Sequence, residues 1–293
     1  MRILLFGFSL LLFSSVASSE PLYWSAKKGP YDLMVLGSIH VGSEKMYPLP
    51  SSITEFLRTS DGLILETDTR KTSDIVYPIA THTAETVLSE PQQKQLSLIA
   101  KELNLASETL LSMSPWTAAL AIQMGNLNQM GLKTALGVDH VLLYDAIFQD
   151  IDILGLESLQ FQIDLLATLP NDGKELLVAA LDEYQSAQQD VNCLVESWAL
   201  GDADNMAQFA EASQLAEELE RRMMTDRNLD WAEKLDSGKI PGEKSVALKG
   251  GRYLVVVGTL HLLGKNNLIE ALKERGFEIE KLSKTQKAKC EFL

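Results

Sequence analysis

The chain has 293 residues, with 26 Lys and Arg against 40 Asp and Glu, a net charge of −14. That balance argues against a dedicated nucleic-acid binder or a protein docking on anionic lipid, both of which need a basic face. Hydrophobic residues make up 46% and charged residues 23%, which excludes a wholly disordered chain, and two Cys with four His limit any metal site to a small one.

Residues 1–19, MRILLFGFSLLLFSSVASS, read as a secretory signal peptide. Arg2 supplies the positive start, Ile3 to Phe13 the apolar stretch, and Val16-Ala17-Ser18-Ser19 the small residues of a cleavage site. The apolar stretch is too short to span a bilayer comfortably. No later segment reaches 18 apolar residues, so no stable membrane anchor is expected after cleavage, and the protein is expected in the periplasm or secreted. Residues 20–293 are expected to form a single domain. Export permits a disulfide between Cys193 and Cys290, which would pin the polar tail KTQKAKCEFL to the helical region.

Next come two strand-like segments, Leu22–Ala26 and Tyr31–Leu36, joined by a Lys27-Lys28-Gly29-Pro30 turn. Ser51–Ser60 reads as a short helix, and Gly62–Glu66 (GLILE) as a buried strand. From Glu90 to about Phe148 the spacing is helical. Leu96, Ile99 and Leu103 form one stripe, and Pro115 opens another helix that ends near Gly131. Ile151–Glu157 (IDILGLE) reads as a strand, with Ser158 capping a helix that runs toward Pro170. Gly173–Asp236 is helical again, punctuated by Gly201-Asp202. Arg252–Val257 (RYLVVV) is the clearest strand. Asn266–Arg275 is a helix ended by Gly276, and Phe277–Leu282 is a last strand. The expected fold is α/β, a mainly parallel central sheet with a large helical block inserted at about 90–236.

Two of the four histidines share one setting. LMVL-GSIH ends at His40 and LVVV-GTLH ends at His261. Each is an apolar strand, a Gly, two residues and a His. In a parallel sheet such residues stand beyond the carboxyl ends of the strands, where ligands bind. Glu66 ends LILE and Glu157 ends LGLE, at the same edge. Two imidazoles and carboxylates suit a divalent cation, Mn²⁺, Co²⁺ or Zn²⁺, whose bound water becomes a nucleophile near neutral pH. His40 and His261 with one of the two glutamates would then hold the metal. Glu66, Glu157 and Arg227 are the candidate catalytic residues, one carboxylate as general base. Arg227 interrupts the apolar stripe Leu215, Leu219, Met223, Trp231, Leu235, so it needs an anionic partner: a core acid, a substrate carboxylate or a developing oxyanion. Asn228 could add a hydrogen bond. His140, after Gly137-Val138-Asp139, and His82, in the polar stretch THTAET, fall outside the repeated motif. The chain has no Walker loop, no G-x-G-x-x-G and no G-x-S-x-G.

Taken together, PLYW…LMVLGSIHVG, DGLILETD, SPWTAAL, GVDHVLLYDA, ILGLESLQFQIDLLATLP, ESWALGDADNM, MTDRNLDWAEKL and VVVGTLHLLGKNNLIEALKERGFEIEKL resemble the TraB/GumN family, which includes the Tiki-type metalloproteases. Erythromycin-esterase-like and ChaN-like proteins are distant relatives. The resemblance covers the mature chain. It implies an α/β fold and a divalent-metal site at His40, Glu66 and His261. Arg227-Asn228 matches the family's polar pair and Glu157 the acid that closes its middle strand. Ser38 stands where the family often has Thr, and Leu262-Leu263-Gly264 where many members carry Leu-Pro-Gly. The function expected is an exported metal-dependent hydrolase of peptidase type, acting on a peptide or small protein. The alternatives are a haem-, iron- or peptide-binding protein without turnover, and a non-haem iron oxygenase.

Overall fold

The computed structural model describes residues 19–212, 217–240, 246–248 and 250–292. All of the expected leader except Ser19 lies outside them, as does Leu215 of the Arg227 stripe.

Six strands build the main sheet: β1 Tyr23–Lys28, β2 Tyr31–Ser38, β3 Gly62–Thr67, β4 Asp152–Glu157, and, after a two-residue ribbon of β5 Lys239–Ile240 and β6 Val246–Ala247, β7 Gly251–Gly258 and β8 Glu278–Lys281. Their order is β4-β3-β7-β2-β1-β8. The four strands from β4 to β2 are parallel, and β1 and β8 close one edge antiparallel. All six segments read as strands in the sequence are strands in this sheet. The central ones are unbroken apolar runs because both of their faces are covered: every residue of β3 is buried, and so are Leu33–Ser38 of β2 and Tyr253–Val257 of β7.

Helix α1 Ser51–Arg58 links β2 to β3. Five helices, α2 Ala84–Val87, α3 Glu90–Glu102, α4 Ser107–Ser112, α5 Pro115–Gln129 and α6 Val138–Phe148, lie between β3 and β4. A second group follows β4: α7 Leu159–Ala167, α8 Lys174–Asp182, α9 Ala187–Leu200, α10 Ala203–Ala212, α11 Glu217–Glu220 and, after a π-helical turn at Arg221–Thr225, α12 Asp226–Ser237. Helix α13 Leu268–Glu274 precedes β8. The expected helical block is thus two blocks, since β4 returns the chain to the sheet between them. Ser158 caps α7 as its position suggests, accepting the Phe161 N–H. Gly276, at φ 87°, takes the left-handed conformation that stops α13.

The described residues form two apolar cores. The larger surrounds the sheet and holds Leu36, Ile64, Val255, Trp198 and Trp231. The smaller lies within the helices, around Leu96, Ile99, Ile122, Leu177 and Leu181. The carboxyl ends of the parallel strands fall in one line. Ser38 pairs with Gly258 in register, Leu65 with Val256, and Thr67 with Glu157. That edge carries Glu66 and Glu157, with His40 and His261 just beyond it, and Arg227 reaches it from α12.

Cys193 on α9 and Cys290 in the tail form a disulfide, with Cα atoms 5.5 Å apart. The tail is further held where Asp202 accepts from the Ala288 N–H at 2.9 Å and from Lys287 at 3.1 Å. The bridge closes a loop across a separation of 97 residues. Replacing Cys290 with Ser is expected to lower stability by about 2–4 kcal/mol in denaturant unfolding under oxidising conditions. Equal unfolding midpoints for wild type and variant would show that the bridge contributes nothing.

Candidate functional site

The site is organised by one buried guanidinium. Arg227 sits in the first turn of α12, where its guanidinium lies over Trp231, the guanidinium carbon 4.6 Å from the indole centroid. All five of its N–H donors are used. Nη2 donates to Glu66 Oε2 at 2.8 Å and to Glu157 Oε1 at 2.5 Å, and Nε donates to Glu157 Oε2 at 3.3 Å. Nη1 donates to the Met223 carbonyl at 3.1 Å and to His261 Nε2 at 3.2 Å. A guanidinium has five such protons and no more. The anionic partner expected for Arg227 is therefore a pair of core acids, and no donor remains for an oxyanion.

Glu157 is equally committed. Its Oε1 accepts from Arg227 and from Gln162 Nε2 at 2.9 Å, and its Oε2 from Arg227 and from Trp231 Nε1 at 3.0 Å. Two lone pairs on each oxygen are filled. Read from sequence as a candidate catalytic acid, it is an anchor for Arg227. Glu66 keeps one position open. Its Oε2 takes Arg227 and Gln162, the latter at 3.3 Å, while its Oε1 takes only the Gly258 N–H at 2.7 Å. The open side of Oε1 faces His40 Nε2, 4.0 Å away.

The two histidines do meet at one place. If Gly258 carried a Cβ, it would stand 3.7 Å from His40 Nε2, 3.6 Å from His261 Cδ2 and 3.3 Å from Glu66 Oε1. The glycine of the second motif keeps that space clear. The glycine of the first motif is needed by the second: a Cβ on Gly37 would lie 2.6 Å from Thr259 Oγ1. Trp198 on α9 then holds Gly37 by donating its indole N–H to the carbonyl at 2.9 Å.

Their environments differ. His261 is 5% exposed. Its Nδ1 lies 2.7 Å from Asn228 Oδ1, so Nδ1 carries the proton and Nε2 accepts from Arg227. Burial and the neighbouring Arg227 charge depress its pKa to about 4, keeping it neutral. The His40 side chain is 62% exposed and opens into a pocket of about 280 Å³. Its Nδ1 is 3.2 Å from Asp139 Oδ1. Desolvation opposes a charge on His40, but Asp139 and Glu66 outweigh it and lift the pKa to about 9. For Glu66, desolvation works against ionisation, and the imidazoles, Arg227 and the Gly258 amide overcome it to bring the pKa to about 2.

These contacts decide how far the expected metal set fits. His40 Nε2 and one lone pair of Glu66 face a common space, but the His261 Nε2 lone pair is taken by Arg227. Among the described residues, no group of three or more His, Cys, Asp and Glu side chains is arranged to hold a metal ion. The three-ligand set does not fit in this arrangement.

Three residues join the site that the sequence reading left out. Asp139 stands in the first turn of α6, where acids ordinarily serve the helix dipole. The Val138 N–H donates to the Ile39 carbonyl at 2.9 Å, which brings that turn against His40. Gln162 bridges the two glutamates from α7, and Ser38 lines the pocket. The sequence signal for Asp139 was its place beside His140. His140 also lines the pocket, although it lies outside the G-x-x-H motif. His82 lies elsewhere, its Nδ1 2.8 Å from Asp172.

Removing the guanidinium while leaving both glutamates buried is expected to cost about 3–5 kcal/mol, so Arg227→Ala should unfold at markedly lower denaturant. Arg227→Lys should recover little, because an ammonium cannot span five acceptors. The titrations also set a pH profile. The His40 contribution is fully present below its ordinary 6.5 and lost as pH rises through about 9. The Glu66 contribution is present above 4.5 and lost as pH falls toward about 2. Melting temperature across pH in wild type and His40→Gln checks the alkaline limb. It should flatten in the variant, and an unchanged limb would assign it to another group.

The profile of the TraB/PrgY/gumN family matches residues 22–281. Over 242 residues the chain is 32% identical to the uncharacterized protein YbaP of Escherichia coli K12 and to its Shigella flexneri counterpart, covering 82% of this chain and 87% of each relative. An uncharacterized protein of Treponema pallidum is 21% identical over 285 residues, 89% of this chain and 83% of that protein. No solved structure matches. The family profile spans the whole sheet and every residue of the site, and the chain belongs to the TraB/PrgY/gumN family.

Proposed function

We propose that the chain is an exported hydrolase of peptidase type and that His40 is its general base. The observation that carries this reading is the asymmetry of the two imidazoles. His261 is spent on Arg227 and Asn228, whereas His40 stands open to the pocket with Asp139 behind it and the free side of Glu66 in front.

The 4.0 Å gap between His40 Nε2 and Glu66 Oε1 suits the attacking water. Such a water would give one hydrogen to each acceptor and keep a lone pair for a carbonyl carbon. His40 takes the proton as the oxygen adds, then passes it to the leaving nitrogen as the C–N bond breaks. Asp139 orients the ring and favours the imidazolium formed between these steps. Arg227 and Glu157 are positioning residues: they fix Glu66 so that only Oε1 faces the water.

Pocket size supports a small reacting group over a haem. The volume of about 280 Å³ is at or below the lower end of sites for drug-sized ligands, which begin near 300 Å³. An iron oxygenase would need the same three ligands as the hydrolytic metal, and His261 Nε2 is engaged in this arrangement. Export is supported by the disulfide, which persists in oxidising compartments. No helix of the described residues is long and apolar enough to cross a membrane.

The test is hydrolysis of a mixed peptide library, with a chelator and with added Mn²⁺, Co²⁺ or Zn²⁺. Cleavage should survive the chelator and rise with pH toward the His40 pKa of about 9. It should fall by about 10²–10⁴-fold in His40→Ala, and Glu66→Gln should lower kcat more than it raises KM. Loss on chelation with recovery on Mn²⁺ would return the site to a metal centre with His261 as ligand. Stoichiometric capture of peptide without cleavage would make the protein a binder.

A further inference from the structure

We propose that residues 76–79, the tip of the segment joining β3 to α2, dock reversibly on a neutral lipid surface. The inference is independent of the hydrolase reading. It starts from what the segment exposes. Val76 is 70%, Tyr77 67% and Ile79 95% exposed, three large apolar side chains within four positions, with exposed Pro78 among them. Apolar residues exposed singly are ordinary, whereas a contiguous group of them marks a contact surface.

Polar anchors on both sides hold the tip in place. Before it, the side-chain amide of Gln160 on α7 pairs with the Val76 backbone. The Val76 N–H donates to Gln160 Oε1 and Gln160 Nε2 donates to the Val76 carbonyl, each at 2.8 Å. After it, Asp172 Oδ2 accepts from the Thr81 N–H at 3.2 Å, the Thr81 hydroxyl at 2.7 Å and the His82 N–H at 2.7 Å. Asp172 is buried and lies at φ 51°, next to Asn171 at φ 50°, a left-handed conformation that residues other than Gly seldom adopt. Pro78 fixes its own φ between these anchors. The backbone is thus fastened while the apolar side chains stay outward, and docking has little further order to impose.

Charge and size select the occupant. Residues 68–83 hold two acids, Asp68 and Asp74, against two bases, Arg70 and Lys71, so the segment is neutral in a chain that carries −14. Residues 75–83 hold no Asp, Glu, Lys or Arg. An acidic chain is repelled by a second copy and by an anionic bilayer, whereas a zwitterionic bilayer meets the neutral tip without that opposition. A stable protein partner takes about 800 Å² and about 20–30 residues from each side, several times what this tip offers. A bilayer needs no matching shape, and Tyr77 suits its headgroup level. The same segment carries Thr69, which lines the His40 pocket, so the tip and the pocket share one stretch of chain.

The test uses the full oxidised protein with vesicles of phosphatidylcholine alone, in flotation at millimolar lipid and at low and high salt. Wild type should float with the vesicles equally at both salts. The double variant Tyr77→Ser, Ile79→Ser should lower the partition coefficient by at least about tenfold, with an unchanged melting temperature because both positions lie on the exposed tip. In Tyr77→Trp, brominated phosphatidylcholine should quench the added indole emission. No flotation with phosphatidylcholine would overturn the proposal. Flotation that the double variant retains would do so too, by assigning the contact to another surface. Flotation that needs phosphatidylglycerol and vanishes at high salt would replace the apolar contact with an electrostatic one. Dimers formed without lipid by wild type and lost in the double variant would give the tip to a second copy.

Discussion

The buried guanidinium of Arg227 is the constraint on which the rest of the rim depends. It neutralises two carboxylates that come from adjacent strands, β3 and β4, and it does so from a helix more than 60 residues further along the chain. A buried ion of this kind is held only where every proton and lone pair finds a partner. Five donors meeting five acceptors satisfy that condition for Arg227, and four donors satisfy it for Glu157. The consequence is selective. By consuming His261 and most of Glu66, the cluster leaves one imidazole and one carboxylate lone pair at the pocket.

The fold supports that outcome through its parallel strands. Because β2, β7, β3 and β4 run in one direction, each delivers its last residues to the same edge. The two G-x-x-H motifs interlock there, since the first glycine makes room for the Thr259 hydroxyl and the second makes room for both imidazoles. Helix α9 braces this edge with Trp198 on the Gly37 carbonyl, and the same helix carries the disulfide to the tail. The tail is thus fastened to an element that touches the site.

Much of this was legible from residue order. Apolar runs marked the central strands, all six strands of the main sheet were read as such, and the paired motifs with the glutamates marked the edge where the candidate site lies. Arg227 stood out because a charge within an apolar stripe requires a buried partner. What the order could not show was competition. Three charged groups and two imidazoles can be distributed as metal ligands or as one another's partners, and only the geometry of α12 shows that Arg227 takes His261 Nε2. Gln162 gave no signal, and Asp139 only its place beside His140, for a related reason. Each lies near the start of a helix, where polar residues are ordinary, and only tertiary packing turns them toward His40 and Glu66.

Two similar histidines are held in opposite states, His261 neutral by burial and the Arg227 charge, His40 charged by Asp139 and Glu66. Nuclear magnetic resonance of ¹⁵N-labelled histidine, followed from acid to alkaline pH, reads that directly. The account predicts one imidazole that stays neutral and protonated on Nδ1 down to about pH 4, for His261, and one that remains charged until about pH 9, for His40. His40 and His261 rings that both titrate near the ordinary 6.5, or a His261 Nε2 that shifts on adding Mn²⁺ or Zn²⁺ as a ligand would, would contradict it.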